Sequence, residues 1–245
     1  MILYANGCSH TAAAEAVVPD CFAVDDGRHG IDRRPHPVNL AASWCTHVAH
    51  DLDMQLVCEA ESGGSNARIL RTTQNWIDAN PHLLSETVIV LQWTTWERQE
   101  WLHQKRWYQV NASGSDWVPE ELRQRYKQYI IDIDWDQCTR QVHNEIWQLH
   151  QTLKSQKIRH LFFNGHSTFD SIQSQYNWGK HYIDPYNADE CYYNWLLNHG
   201  GTRATSQSYH FDAKSHRLWA THVLQYINDN QILEPLNEIP VDRHQ

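Results

Sequence analysis

The sequence predicts a three-layer α/β/α fold in one domain spanning residues 1–245, built on a mainly parallel sheet of about five strands. Three observations lead there. Short apolar runs of strand length alternate with stretches whose apolar residues recur at helical spacing. The run Thr87–Trp93 is apolar almost throughout, as a strand covered on both faces must be. No segment repeats at a fixed period, and the composition is that of a packed protein. With 41% hydrophobic residues, 12 Trp and 11 Tyr it is too aromatic for a disordered chain, and with 10 Gly and 8 Pro it is neither collagen-like nor low-complexity.

Taken in order, Ile2 to Ala5 is a short apolar run that stops at Asn6-Gly7, a buried strand feeding a turn. Leu40, Ala41, Trp44, Val48 and Leu52 mark a helix within Val38 to Leu52. Met54 to Ala60 reads as a second strand, closed by Ser62-Gly63-Gly64-Ser65. Asn66 to Ile77 returns to helix, with Ile69, Leu70 and Ile77 inward, and Thr87 to Trp93 is the third strand. Glu120 to Lys157 is mostly helical, with a break near Asp132-Ile133-Asp134. His160 to Phe163 is the fourth strand, ending at Asn164-Gly165, and Asp212 to Asn228 is a final amphipathic helix. Three stretches, near 12–37, 99–118 and 176–206, break the alternation. Each follows a strand end, where ligand crevices of open α/β sheets lie, so they are expected to form pocket walls.

Charge and composition exclude several classes. Lys and Arg total 20 against 29 Asp and Glu, a net charge of −9, which disfavours a nucleic-acid partner. No apolar run approaches the roughly 20 residues a membrane helix requires. The start, Met1-Ile2-Leu3-Tyr4, has no basic region or long apolar stretch of a signal peptide, so a cytoplasmic protein is expected. The six cysteines are scattered without a CxxC, which fits free thiols rather than a zinc ribbon or a disulfide framework. Among the 17 histidines, His47 with His50 and His143 with His150 can share helix faces, but no third ligand stands at a recognisable spacing. Neither a metal nor a cofactor is expected.

The chemistry concentrates at two ends of the chain. Gly7-Cys8-Ser9 follows the first strand, where a sharp turn exposes a hydroxyl and leaves backbone N–H groups for an anion. Ser9 is either a nucleophile awaiting a base or the cap of a helix. His10, its neighbour in sequence, is poorly placed to fold back onto it. Far along the chain, His210 stands in a loop just before a helix that Asp212 can cap, whereas His216 lies one turn inside that helix.

These residues resemble the SGNH/GDSL hydrolases. Gly7-Cys8-Ser9 matches the GDS-type turn, with Cys8 where Asp is usual; Ser62-Gly63-Gly64-Ser65-Asn66 matches the glycine block after the second strand. Gln92-Trp93-Thr94-Thr95 falls where GxND is usual, and Gln207-Ser208-Tyr209-His210 where DxxH is usual. The blocks occur in order from Gly7 to His216, like a divergent branch met in phage and environmental genomes. The resemblance implies a flavodoxin-like three-layer fold and a serine esterase. In it Ser9 attacks, His210 is the base, and Ser9, Gly64, Asn66 and Thr94 are the candidate oxyanion donors. The usual acid position is Gln207, whose carbonyl can orient the imidazole without offsetting its charge, so the acid is absent or comes from elsewhere.

Trp93 at the end of the third strand and Trp96 and Arg98 just beyond it are candidates to stack on or hold a substrate, with a sugar favoured by the acidic balance; the competing reading is that the tryptophans anchor the insertion to the body. The function expected is hydrolysis of a small-molecule or carbohydrate ester, such as an O-acetyl group. The competing readings are a catalytically impaired binding protein on the same scaffold and a histidine-based metal enzyme.

Overall fold

The computed structural model describes residues 1–23, 33–112, 118–173 and 175–234. Parts of two expected pocket walls, residues 24–32 and 113–117, lie outside the described residues.

The first strand, β1 (Ile2–Asn6), is central. It pairs in parallel with β2 (Gln55–Cys58) on one side and β3 (Thr87–Trp93) on the other, and β3 pairs in parallel with β6 (Arg159–Asn164). The order β2-β1-β3-β6 is that of a doubly wound sheet, in which the chain leaves the central strand in both directions. The expected fifth strand is reduced, among the described residues, to a single parallel bridge between Phe162 and Tyr182. β4 (Gln99–His103) and β5 (Arg106–Val110) form a separate antiparallel hairpin.

Alternate residues of each strand feed two cores. Leu3, Ala5, Val88, Val90, Leu161 and Phe163 face α2 (Trp44–Asp51) and α7 (Ala213–Asp229), packing against Trp44, Val48, Trp219 and Val223. Tyr4, Ile89, Leu91 and Phe162 face α3 (Asn66–Ala79) and α5 (Trp135–Ser155), packing against Ile69, Ile77, Ile146 and Leu153. Both faces are covered, which is why β3 is buried at every residue and reads as an apolar run interrupted within it only by Gln92, whose amide is hydrogen-bonded to Thr11 and Cys8. The result is a three-layer α/β/α fold.

The helix expected from Val38 to Leu52 is two helices, α1 (Pro37–Ala41) and α2. Ser43 divides them, because its side chain accepts from the Thr46 N–H at 3.2 Å and starts a new helix instead of continuing the old one. The long helical stretch after Glu120 divides into α4 (Arg123–Asp132) and α5, where Asp134 caps the second by accepting from the Gln137 N–H at 2.9 Å. The helix α6 (Tyr192–Asn198) lies within the last irregular segment. Among the described residues no helix is long and apolar enough to cross a membrane, and the six cysteines are unpaired.

Candidate active site

All four strands of the main sheet run the same way, so Asn6, Cys58, Trp93 and Asn164 end at one edge. An open cavity of about 490 Å³ lies at that edge, lined by Ser9 after β1, Thr95 and Arg98 after β3, and His166 after β6. His10, Glu15, Tyr193, Gln207 and His210 complete much of its wall.

The turn carrying Ser9 is held from several sides. Asn6 accepts the Gly7 N–H through its side chain at 2.8 Å and ties β1 to α3 through Thr72 at 2.8 Å. A Cβ on Gly7 would stand 2.3 Å from Thr11 Oγ1, so the close passage requires glycine. The Thr11 and Ala12 N–H groups both donate to the Cys8 carbonyl at 3.0 Å, and the Thr11 hydroxyl donates to Gln92 at 2.6 Å. Cys8, standing where the resembling enzymes carry Asp, is buried and receives the Gln92 amide at 3.4 Å. No hydrogen bond joins Ser9 Oγ to His210 among the described residues.

Past Ser9 the chain makes two left-handed residues, Ala13 (φ 52°) and Glu15 (φ 64°). They turn the Glu15 carboxylate back toward the cavity. Its Oε2 accepts from His210 Nδ1 at 3.0 Å and from the Ser208 hydroxyl. Ser208 Oγ in turn accepts the His210 backbone N–H at 2.9 Å, so Glu15 holds the ring and Ser208 ties that carboxylate to the His210 backbone. Burial pushes the Glu15 carboxyl up, but the hydrogen bonds from Ser208 and His210 and the attraction to His210 more than offset it and leave it below the ordinary value. With Nδ1 turned to Glu15, Nε2 is the ring nitrogen left for a reacting hydroxyl. This is the geometry of a base and its orienting carboxylate.

Gln207, expected from the motif position to orient the ring, lines the cavity, whereas the hydrogen-bond partner of His210 Nδ1 is the Glu15 carboxylate. The change follows from the left-handed loop, which reaches the imidazole from β1's side of the site. Asp212 is the cap of α7, accepting the Ser215 N–H at 2.8 Å. His216 lies buried inside α7, with its Nδ1 accepting the Trp44 N–H at 3.4 Å; burial lowers its pKa to about 3.

The oxyanion candidates separate as well. Only Ser9 of the four lines the cavity. The Gly64 N–H closes a turn onto the Glu61 carbonyl at 2.9 Å. Asn66 accepts the Thr94 N–H at 2.9 Å and donates to the Thr94 carbonyl at 3.2 Å, so its amide stitches the second block to the third. Thr94 is fully buried, and its hydroxyl has no hydrogen-bond partner among the described residues.

Of the expected substrate-binding residues, Arg98 lines the cavity, while Trp93 and Trp96 do not. Trp93 is fully buried against Phe162, and Trp96 stacks on Phe169 at 4.5 Å while donating to the Thr168 carbonyl at 3.3 Å. Both anchor the segment to the α3/α5 core, because β3 has no solvent face to offer a ligand. Arg98 reaches the Gly64 carbonyl with Nη1 at 3.4 Å.

Glu15 and His166 carry no role in the sequence analysis. His10 and His166 meet through their Nε2 atoms at 2.5 Å on the cavity wall. Burial pushes His10 well down and His166 to about 4, and neighbouring basic groups, Arg98 among them, lower each further. The signal for His166 is its place directly after Asn164-Gly165 at a strand end; Glu15 has no such signal. The other histidine pairs are dispersed: His143 meets Tyr186 at 3.0 Å, His150 meets His160 at 2.9 Å, and His50 meets Asp51 at 3.1 Å. Among the described residues no group of three His, Cys, Asp or Glu side chains converges to hold a metal ion.

The loops meet unevenly here. The segment after Ala12 supplies Glu15, and α6 supplies Tyr193. The β4–β5 hairpin instead borders a separate cavity of about 250 Å³, where Tyr108 and Gln109 face Cys21, Phe22 and Gly63.

No protein-family model matches the sequence, and no curated protein matches it with significance. Among solved structures, one from Desulfitobacterium hafniense DCB-2, a "putative lipolytic protein of G-D-S-L family", aligns over 92% of this chain and 98% of its own at 11% identity and a TM-score of 0.35.

Proposed function

We propose that the chain is a serine hydrolase acting on carboxylic esters. Ser9 Oγ attacks the acyl carbon while His210 Nε2 takes the hydroxyl proton, and Glu15 compensates the charge that forms on the imidazole. The alcohol leaves with that proton, and water activated by the same histidine cleaves the acyl-enzyme. The observation that carries this reading is the Glu15–His210 pair, 3.0 Å apart on the wall of the cavity that Ser9 also lines. It supplies the acid that the motif blocks lack. The Trp93 and Trp96 side chains lend no support to a sugar-stacking role, so the proposed substrate is an ester without a specified carbohydrate part.

A second reading, a binding protein on the same scaffold, draws on the Gly64 N–H and Asn66 amide being spent inside the protein. One oxyanion donor typically contributes about 2.7–4 kcal/mol to the transition state. A fluorophosphonate probe decides between them. The serine-hydrolase reading requires covalent labelling that maps to Ser9 and disappears in Ser9→Ala. Equal labelling of both proteins, or none of either, removes it.

A further inference from the structure

The cavity contains a cation that nothing in the proposed chemistry uses. Arg98 lies half-buried on its wall, reached from β3 by a short turn. Its Nε is buried without a hydrogen-bond partner, and its one hydrogen bond, from Nη1 to the Gly64 carbonyl at 3.4 Å, is long. No carboxylate among the described residues lies within ion-pairing distance of it. The neighbour Glu97 is buried and accepts the Thr95 hydroxyl at 3.1 Å instead. Glu15 is the only carboxylate on the described wall, and it is taken by His210 and Ser208.

The field of this guanidinium reaches the pair of imidazoles opposite. Burial lowers both histidines first, and Arg98 lowers each of them further, as an uncompensated positive charge does. A protein with a net charge of −9 has thus placed a cation with no carboxylate partner among the described residues on the wall of the cavity that its candidate nucleophile also lines. A guanidinium is a rigid fork of donors suited to a planar or tetrahedral oxyanion, and burying one without a counter-charge is unfavourable. A neutral ester leaves that cost standing, whereas an ester with its own anion removes it.

We infer that the substrate of this site is an anionic ester, with a carboxylate or phosphate group that pairs with Arg98 while Ser9 meets the acyl carbon. This rests on the serine-hydrolase reading above. Arg98 then sets specificity by contacting a part of the substrate that does not react.

The test compares matched pairs of esters on the intact protein. On the acyl side, 4-nitrophenyl hemiglutarate is set against its methyl-capped, neutral counterpart. On the alcohol side, 2-acetoxyethyl phosphate is set against ethylene glycol monoacetate. The readout is the ratio of kcat/KM for anionic over neutral ester, which cancels any general loss of activity. The expected ratio exceeds unity by about ten- to a hundred-fold for at least one pair, the range charge-assisted hydrogen bonds give. It collapses toward unity in Arg98→Gln and recovers in part in Arg98→Lys, which keeps the charge and loses the fork. The pair that responds identifies the accepted combination, a carboxylate carried on the acyl side or a phosphate carried on the alcohol side. Fluorophosphonate labelling at Ser9 is measured on the same samples. Labelling with a flat ratio in the wild type, or a ratio unchanged in Arg98→Gln, overturns this inference alone. Absence of labelling overturns the hydrolase reading and this inference with it.

Discussion

Replacing Glu15 with Gln removes one negative charge and keeps nearly the same side-chain shape, so it isolates what the carboxylate does for His210. The Nδ1–Oε2 separation is 3.0 Å, and the two side chains are 19% and 32% exposed, His210 and Glu15 respectively. At a charge separation of about 4 Å, the attraction between a protonated imidazole and a carboxylate is about 1 kcal/mol in water and about 4 kcal/mol at an effective dielectric of 20. The exposure of Glu15 places this pair in the lower part of that range, about 1–2 kcal/mol, or roughly 5- to 30-fold in kcat. That is smaller than the roughly 10⁴-fold loss seen when a fully buried triad acid is neutralised, and the difference is the solvent that reaches Glu15. The assay is steady-state hydrolysis of 4-nitrophenyl acetate by wild type, Glu15→Gln and Gln207→Ala, with thermal unfolding of each to show that the fold survives. Glu15→Gln is expected to fall in kcat by the stated amount and Gln207→Ala by clearly less. If Gln207→Ala falls ten-fold or more while Glu15→Gln matches wild type, the carboxylate is not the orienting group and the assignment reverts to Gln207.

His210→Ala is expected to lose about 10²- to 10⁴-fold in kcat with an unchanged unfolding temperature, the usual value of a general base. His216→Ala, which opens a hole beside Trp44 and leaves its N–H unpaired, instead lowers the unfolding temperature; loss of activity in a stable His216→Ala together with an active His210→Ala would reverse the two roles. Gly7→Ala is expected to destabilise the protein and depress activity together, because the added Cβ would meet Thr11 Oγ1 at 2.3 Å and Gln92 Cβ at 3.0 Å; an unfolding temperature equal to wild type would show that the turn can open. The buried histidines set an acid limit on stability. His143, His150, His166 and His222 are each pushed by burial to about 4. The unfolded chain, with histidines near 6.5, then binds more protons than the folded one, so their stabilisation is complete above about pH 6.5 and declines as pH falls toward 4. Urea midpoints at pH 7.5, 6 and 5 should decrease in that order, and a flat series would contradict the neutral burial of these rings.

Much of the architecture could be read from local pattern. The strand runs at Ile2, Thr87 and His160 lie where the main-sheet strands form, because a strand buried on both faces is apolar except where a polar side chain finds a buried partner, as Asn6 and Gln92 do. Asp212 could be read as a helix cap, and His210 as a loop residue ahead of it, because capping depends on a few adjacent residues. The break between α4 and α5 at Asp134 is legible for the same reason. The split at Ser43 is not legible: apolar spacing runs straight through it, and a cap competes with a continuing helix only by a hydrogen bond that the pattern does not display.

What the sequence determined by itself is therefore what short-range chemistry decides: the alternation that makes a three-layer fold, the glycine turn that presents Ser9, and the loop that carries His210. The tertiary structure alone decided which residues meet those two. Glu15 stands six positions after Ser9 with no glycine to announce the left-handed turns at Ala13 and Glu15, and its partner His210 is 195 residues away. Trp93, Trp96 and Arg98 are close in sequence, yet two are enclosed by the α3/α5 layer and the third opens onto the cavity. Composition has no term for the direction in which a side chain leaves the backbone relative to helices packed from elsewhere. That direction is set by the packing of distant elements on the sheet, and the site exists only once they have met.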